Sequence, residues 1–128
     1  MNYVYLVILL TLTEYLIFGY LVSRARTRCK VAAPAVTGHP EFERYFRVQQ
    51  NTIEQLIVVV PALWICGLTV NPLLPALLGS VFVAARGYYA YGYIKSPAQR
   101  HYGFMLGMIA TVALILTAFV GVCIHLLS

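Results

Sequence analysis

Two groups of polar residues could carry chemistry in this chain, and each repeats at helical spacing. The first polar stripe lies in EFERYFRVQQNTIEQ, where steps of three, four and three residues place four side chains on one narrow side of a helix at about 100° per residue: Arg44, Arg47, Asn51 and Glu54. The second polar stripe lies in AARGYYAYGYIKSPAQR and comprises Arg86, Tyr89, Tyr93, Ser96 and Arg100. Arginines outnumber carboxylates in the two stripes, so together they predict a site for an anionic ligand.

A simpler interpretation is that the charges satisfy one another. Buried charges require partners or solvent, and Glu54 could pair with Arg44 or Arg47 in a network that only holds the helices together. The surplus of cationic groups favours the ligand site over this interpretation.

Composition indicates which elements position these stripes. Of 128 residues, 61% are hydrophobic and 10% are charged, well below the roughly 25% charged residues of soluble domains. A helix needs about 20 apolar residues to span a bilayer, so the length accommodates four spans. We predict an all-α membrane protein in which a single domain, residues 1–128, forms a four-helix transmembrane bundle. The predicted spans are about 3–22, 42–70, 76–95 and 99–127.

The fourth predicted span carries two glycines at a spacing of four residues. Gly103 and Gly107 follow the small-residue pattern that lets helix backbones approach closely in lipid. We expect both to lie at a helix contact.

Charge placement predicts the orientation. All nine Lys and Arg residues lie between Arg24 and Arg100, in or near the connections after the first and third spans. By the positive-inside rule these connections are cytoplasmic and both termini lie outside, in a bacterial inner membrane or the endoplasmic reticulum. Because no soluble domain presents the basic residues, we do not expect nucleic-acid binding.

Glu14 is the one ionisable side chain within the first predicted span. A charge there costs about 3 kcal/mol on insertion scales. The carboxyl is either neutral or hydrogen-bonded at a helix contact, or it is a coupling site for protons or cations. The second possibility would suit a small multidrug-type, proton-coupled transporter of four spans, an alternative that does not explain the first polar stripe.

Cysteine and histidine residues give no metal-ligand spacing, and we predict no metal site. The three histidines are scattered among different segments. Cys66 and Cys123 fall near the outer ends of their spans, where a disulfide is conceivable, but three free thiols are the simpler interpretation.

The segment PEFERYFRVQQNTIEQ and the run ending ARGYYAYGYIKSPAQR resemble the family of membrane-associated proteins in eicosanoid and glutathione metabolism, known as MAPEG. Within that family the chain is similar to the branch of microsomal glutathione S-transferase 2 and leukotriene C4 synthase. The resemblance covers roughly Arg24 to Arg100 and includes Trp64. It implies a four-helix subunit that assembles as a homotrimer, with glutathione bound between neighbouring subunits.

The resemblance also implies roles for individual residues. The positions matching the family's glutathione contacts are Arg26, Arg47, Gln49, Asn51, Glu54, Tyr89 and Tyr93. In such a trimer Arg26 and Gln49 would act from the neighbouring subunit. Two arginines could each bind a carboxylate of glutathione by charge-assisted hydrogen bonds, while Glu54 binds its ammonium group.

Arg100 matches the catalytic arginine of the family, which lies beside the sulfur of glutathione. A free thiol has a pKa of about 8.5, and a fixed cation lowers that value. The thiolate would then attack a lipophilic electrophile that arrives from the membrane lipid. The implied function is a membrane-bound glutathione transferase with glutathione as co-substrate and no metal, with lipid hydroperoxide reduction as a related activity.

Two positions depart from the family pattern. Thr27 stands where leukotriene C4 synthase has a second arginine, and Gln55 replaces a tyrosine of the glutathione site. The first departure argues against a dedicated leukotriene synthase. A non-catalytic, lipid-binding member of the family is a third alternative, against which Arg100 and Glu54 both count.

Overall fold

The computed structural model describes residues 1–128, apart from the side chain of Pro97. It contains four long helices, and a short 3₁₀ turn, Pro97–Arg100, precedes the last of them. The helices are α1 (Asn2–Arg28), α2 (Pro40–Thr69), α3 (Leu73–Lys95) and α4 (His101–Leu127). Each of the four is long and apolar enough to cross a membrane. The predicted all-α, four-helix, multi-pass membrane architecture is therefore confirmed.

One apolar core joins the four helices. Val4 of α1, Leu63 of α2, Phe82 of α3 and Leu114 of α4 all belong to it and are fully buried. Helices α2 and α3 each contact all three other helices. These two helices therefore form the centre of the bundle, and they are the two that carry the polar stripes.

The outer surface of the bundle is also apolar. Large aliphatic and aromatic side chains are exposed on every helix, among them Leu16, Ile57, Leu77, Ile109 and Phe119. Lipid tails are as apolar as these side chains, so this surface suits the hydrocarbon region of a bilayer.

Helix α1 continues past the predicted limit at residue 22 and ends at a tight turn. Lys30 has a positive φ of 56°, the left-handed conformation usual at such helix ends. The Val31 amide donates to the Arg26 carbonyl at 3.0 Å, and the Lys30 amide donates to the Thr27 carbonyl at 3.3 Å. Val31 then packs into a small apolar cluster with Phe42, which turns the connection back towards the start of α2.

Helix α3 begins at Leu73, earlier than the prediction of residue 76. The Asn71 side-chain oxygen accepts from the backbone amides of Leu73 at 3.0 Å and Leu74 at 2.9 Å. Pro75 lies in the first turn, where the amide hydrogen that proline lacks has no helical partner. The prediction was wrong at this boundary because proline ends a helix but is tolerated at its start.

Helix α4 packs closely against α3 at only one of the two predicted glycines. A Cβ placed on Gly103 would lie 2.5 Å from the backbone nitrogen of Tyr89, so the two backbones meet there. A Cβ on Gly107 would lie 3.7 Å from the Cβ of Ala85, an ordinary contact distance. Close packing therefore requires glycine at position 103 and tolerates a side chain at 107.

Candidate functional site

The two polar stripes meet in a cleft at one end of the bundle. The cleft has a volume of about 230 Å³. Its lining residues come from α2, α3 and the 3₁₀ turn, and they are Arg47, Gln50, Asn51, Glu54, Tyr89, Tyr93 and Arg100. Six of the eight predicted site residues therefore line one cleft. Gln50 was not predicted, although it lies three residues after Arg47 and four before Glu54, a spacing that could have indicated it.

Glu54 and Arg47 are not paired with each other. Among the side chains that the structure describes, neither Arg44 nor Arg47 forms an ion pair with Glu54. The ion pair found among those side chains joins Arg28 to Glu41. The interpretation of the first polar stripe as an internal ion-pair network is thus wrong for this chain. Both charged groups remain available at the cleft surface.

Asn51 presents an unsatisfied acceptor at the cleft. Its side-chain oxygen is buried and has no hydrogen-bond partner among the described atoms. Leaving a buried acceptor unpaired costs about 1–3 kcal/mol. A donor group on a ligand in the cleft would satisfy it.

Arg100 is held over the α3 wall of the cleft. Its guanidinium carbon lies 5.7 Å from the centre of the Tyr93 ring, within the range of a cation–π contact. The rings of Tyr93 and Tyr89 are themselves 5.7 Å apart. Gly92 lets the 3₁₀ turn pack on α3, because a Cβ there would lie 2.6 Å from the carbonyl oxygen of Gln99.

Arg86 belongs to the second polar stripe but lies behind the cleft. Only 1% of this residue is exposed. Its guanidinium carbon lies 4.1 Å from the centre of the Tyr89 ring, and its Nη2 donates to the Thr52 hydroxyl at 2.7 Å. The side chain thus supports one wall of the cleft from inside the bundle.

Glu14 lies at the contact between α1 and α3. Its Oε2 is 3.6 Å from the position that a Cβ on Gly87 would occupy. The positive charge of Arg86 acts on the carboxyl without an ion pair between these two described side chains. Glu14 Oε1 and Arg86 Nε are both buried without a hydrogen-bond partner among the described atoms. This placement matches the helix-contact interpretation of Glu14.

Arg44 belongs to the first polar stripe but binds the end of α3 instead of lining the cleft. Its Nη1 donates to the carbonyl oxygens of Ile94 at 3.2 Å and Lys95 at 3.3 Å. The last carbonyls of a helix have no partner within the helix, so Arg44 satisfies groups that would otherwise need water. It fixes α2 against the point where α3 gives way to the 3₁₀ turn.

Two predicted site residues lie away from the cleft. Arg26 donates to the carbonyl oxygen of Ala35 at 2.7 Å, and its guanidinium carbon lies 4.6 Å from the centre of the Phe42 ring. The Gln49 side chain packs against α1, with Nε2 2.8 Å from the position of a Cβ on Gly19. Within one chain, neither residue reaches the other six.

One of the three cysteines lies in a cluster of potential metal ligands. Cys29, Cys66 and Cys123 are all free, as in the simpler interpretation. However, donor atoms of Cys29, His39 and Glu41 lie within 4.8 Å of one another. This cluster is not evident from the sequence, because the connection between α1 and α2 brings together residues whose sequence spacing has no regular pattern.

Comparison with known proteins gives a consistent result. The profile of the MAPEG family matches residues 4–120. The chain is 39% identical over 108 residues to an uncharacterised protein of Synechocystis sp., covering 84% of this chain and 79% of that protein. It is 38% identical over 120 residues to microsomal glutathione S-transferase 2 of Mus musculus, covering 94% and 82% respectively. It is 34% identical over 110 residues to leukotriene C4 synthase of Bos taurus, covering 86% and 73%.

Proposed function

Because the chain belongs to the MAPEG family, we propose that it is a membrane-bound glutathione transferase. Its similarity to proteins named microsomal glutathione S-transferase 2 and leukotriene C4 synthase supports a glutathione-dependent transferase activity. The same similarity does not favour a proton-coupled transporter. In the proposed reaction, the thiolate of glutathione attacks a hydrophobic electrophile that enters from the bilayer.

One observation carries the proposal: an acidic and two basic groups converge in one cleft without an ion pair between Glu54 and Arg47. Glutathione carries two carboxylates and one ammonium group. Arg47 can bind a carboxylate and Glu54 the ammonium by charge-assisted hydrogen bonds. The unpaired oxygen of Asn51 can accept from an amide of the peptide.

The remaining anchors require a second subunit. Arg26 and Gln49 lie away from the cleft of their own chain, and we propose that they complete the cleft of a neighbour in a homotrimer. In that arrangement Arg26 binds the second carboxylate of glutathione. The partner would therefore be needed for full affinity, because one chain alone supplies only part of the charge complement of the ligand.

Arg100 is the proposed activator of the thiol. Its guanidinium is always charged, and it lies at the open edge of the cleft over Tyr93. A cation beside the sulfur stabilises the thiolate relative to the thiol. The sulfur then forms a bond to the electrophilic carbon, and the displaced leaving group departs with the electron pair of the broken bond.

The same thiolate could reduce lipid hydroperoxides. Attack on a peroxide oxygen would break the O–O bond and release the lipid alcohol, leaving a sulfenic acid on glutathione. A second glutathione would then form the disulfide and release water. We propose this as a related activity, because it needs no group beyond those that activate the thiol.

The two departures from the family pattern affect the choice of substrate more than the binding of glutathione. Thr27 donates from its hydroxyl to the Ser23 carbonyl within α1 at 3.3 Å, and it offers no cation to a substrate. We therefore do not propose a dedicated leukotriene synthase. Gln55 lies outside the lining of the cleft, so its replacement of a tyrosine leaves the proposed contacts within one chain intact.

Conjugation of glutathione to a generic aryl halide by the purified protein in detergent tests the proposal. We expect product formation that saturates with glutathione and that falls at neutral pH in Arg100→Ala. Glutathione affinity measured by calorimetry on the same samples separates a transferase from a non-catalytic, lipid-binding member. Absence of glutathione binding in the parent protein would overturn the proposal.

A further inference from the structure

A second group of chemically active side chains lies where α1 and α2 are joined, outside the cleft. Cys29 directly follows α1, His39 directly precedes α2, and Glu41 lies in the first turn of α2. A sulfur, an imidazole nitrogen and a carboxylate oxygen of these three residues lie within 4.8 Å of one another. We propose that they form a site for a divalent cation of the zinc class.

The chemical types of the three ligand atoms indicate which metal ion the site would bind. Thiolate, imidazole and carboxylate are the ligands that Zn²⁺ takes in proteins, whereas Mg²⁺ and Ca²⁺ prefer oxygen ligands alone. One thiolate and one carboxylate together neutralise the charge of a divalent ion. Three protein ligands leave a fourth tetrahedral position for water, as in zinc sites with an open position.

The separation of two of the donors already fits tetrahedral zinc. Zn–S bonds of about 2.3 Å and Zn–O bonds of about 2.1 Å place the two ligand atoms about 3.6 Å apart at a tetrahedral angle. The Cys29 Sγ and Glu41 Oε2 atoms lie 3.6 Å apart. An ion can therefore replace the thiol proton between these atoms without moving either of them.

Arg28 holds the Glu41 carboxylate in this orientation. Its Nη2 binds Oε1 at 2.5 Å, which leaves Oε2 directed at the thiol of Cys29. Partners that bind the second atom of a metal ligand commonly fix its orientation in this way. Arg28 remains paired with the carboxylate when the other oxygen binds the ion.

His39 can join the site through either of its ring nitrogens. Its Nδ1 now accepts from the Glu41 amide at 3.2 Å and caps α2. A ring nitrogen lies within 4.8 Å of the other donor atoms. Tetrahedral geometry requires about 3.5 Å, so the ring approaches by at most about 1.3 Å, and ligation through Nδ1 would give up the cap. The start of α2 retains Pro40 at its first position and acidic residues in its first turn, both of which stabilise a helix start.

Metal binding would tie the end of α1 to the beginning of α2. The connection between them also supplies the carbonyl of Ala35 that binds Arg26. The ion would therefore stabilise the segment that holds Arg26 in place. This inference does not depend on the proposed transferase activity, because the cluster shares no residue with the cleft.

Cobalt titration of the purified full chain in detergent, without a polyhistidine tag, tests the site. Co²⁺ gives visible bands in tetrahedral sites and a near-ultraviolet charge-transfer band when a thiolate binds it. We expect saturation at one ion per chain, with the spectrum abolished by added Zn²⁺. Cys29→Ser should abolish the charge-transfer band and lower the affinity about tenfold or more.

Two further variants separate ligation from folding. His39→Asn keeps an acceptor that can cap α2 but removes the imidazole, and Glu41→Gln removes the carboxylate charge. Both should weaken cobalt binding and abolish the zinc-dependent rise in melting temperature expected of the parent. Cys123→Ser removes an exposed thiol elsewhere and should leave the titration unchanged.

The outcomes are decisive in both directions. The proposal is overturned if the parent shows no saturable binding, or if Cys29→Ser retains the charge-transfer band. It is also overturned if Cys123→Ser loses that band, since the thiolate ligand would then lie at the far end of α4. Glutathione conjugation measured on the same samples reports separately on the cleft.

Discussion

Arg86 donates a hydrogen bond from Nη2 to the Thr52 hydroxyl at 2.7 Å, and this contact joins α3 to α2 directly behind the cleft. Thr52 adjoins Asn51 in the sequence, and the guanidinium of Arg86 also lies against the Tyr89 ring. One buried side chain therefore sets the relative position of two residues on opposite walls of the cleft.

The first prediction concerns Glu14, the acid on which the charge of that buried cation acts. Replacing Arg86 with Met removes the buried hydrogen bond to the Thr52 hydroxyl and the positive charge that acts on Glu14. Loss of a hydrogen bond from a charged group costs about 1.5–3 kcal/mol. We expect Arg86→Met to be strongly destabilised in detergent unfolding, and Glu14→Gln in the same background to recover part of the loss. Additive effects of the two substitutions would show that Glu14 and Arg86 are not coupled.

The second prediction uses the two glycines of α4 as a matched pair. Gly103→Ala should separate α4 from α3 and displace Tyr89, because the new Cβ would lie 2.5 Å from the Tyr89 nitrogen. Overpacking of this kind costs about 1–3 kcal/mol. Gly107→Ala, with its nearest atom at 3.7 Å, should unfold close to the parent. Thermal unfolding of both variants checks the difference, and equal melting temperatures would contradict the close approach at Gly103.

The four helices and most of the cleft residues can be predicted from the sequence, because both depend on the spacing of apolar and polar residues along the chain. Apolar length predicts the spans, and helical spacing places Arg47, Asn51 and Glu54 on one face of α2. The same periodicity does not predict that Arg44 lies outside the cleft. Helical spacing specifies the face of α2 on which a side chain lies, but it does not specify where along that face a neighbouring helix ends. Arg44 meets the last carbonyls of α3, and that depends on how two helices are staggered.

The remaining differences arise from contacts between segments that are distant in sequence. The position of Arg86 behind Tyr89 depends on the rotation of α3 against α2, which a stripe of polar residues does not specify. The cluster of Cys29, His39 and Glu41 depends on the path of the connection after α1. That path follows from the left-handed Lys30, at a position where glycine is the usual residue.

The third prediction concerns Glu54, the acidic residue among the described residues that line the cleft. Glu54→Gln should lower glutathione affinity by about 1.5–3 kcal/mol, the value of a hydrogen bond to a charged group, because the ligand ammonium loses its anionic partner. Calorimetry on the detergent-purified protein measures this. Glu43→Gln changes an acid of α2 that lies outside the cleft lining and should bind like the parent. Unchanged affinity in Glu54→Gln would show that Glu54 does not contact the ammonium.

The last prediction concerns Arg100 and the ionisation of the bound thiol. Arg100→Ala should leave glutathione binding largely intact, because the proposed carboxylate and ammonium contacts belong to other residues. Removal of the cation should raise the pKa of the bound thiol towards or above its ordinary value of about 8.5. Less thiolate is then present at neutral pH, so turnover should fall there and recover as the pH rises through the new pKa.

Ultraviolet difference absorbance of the thiolate during a pH titration measures that pKa directly. Arg100→Lys, which restores a cation at a different position, should give an intermediate value. Arg47→Ala is the matched control: it should weaken glutathione binding, yet at saturating glutathione the thiolate should titrate as in the parent. If Arg100→Ala binds glutathione and its thiol titrates as in the parent, the activating group is another residue of the cleft. A raised thiol pKa in Arg47→Ala would then identify Arg47 as that group.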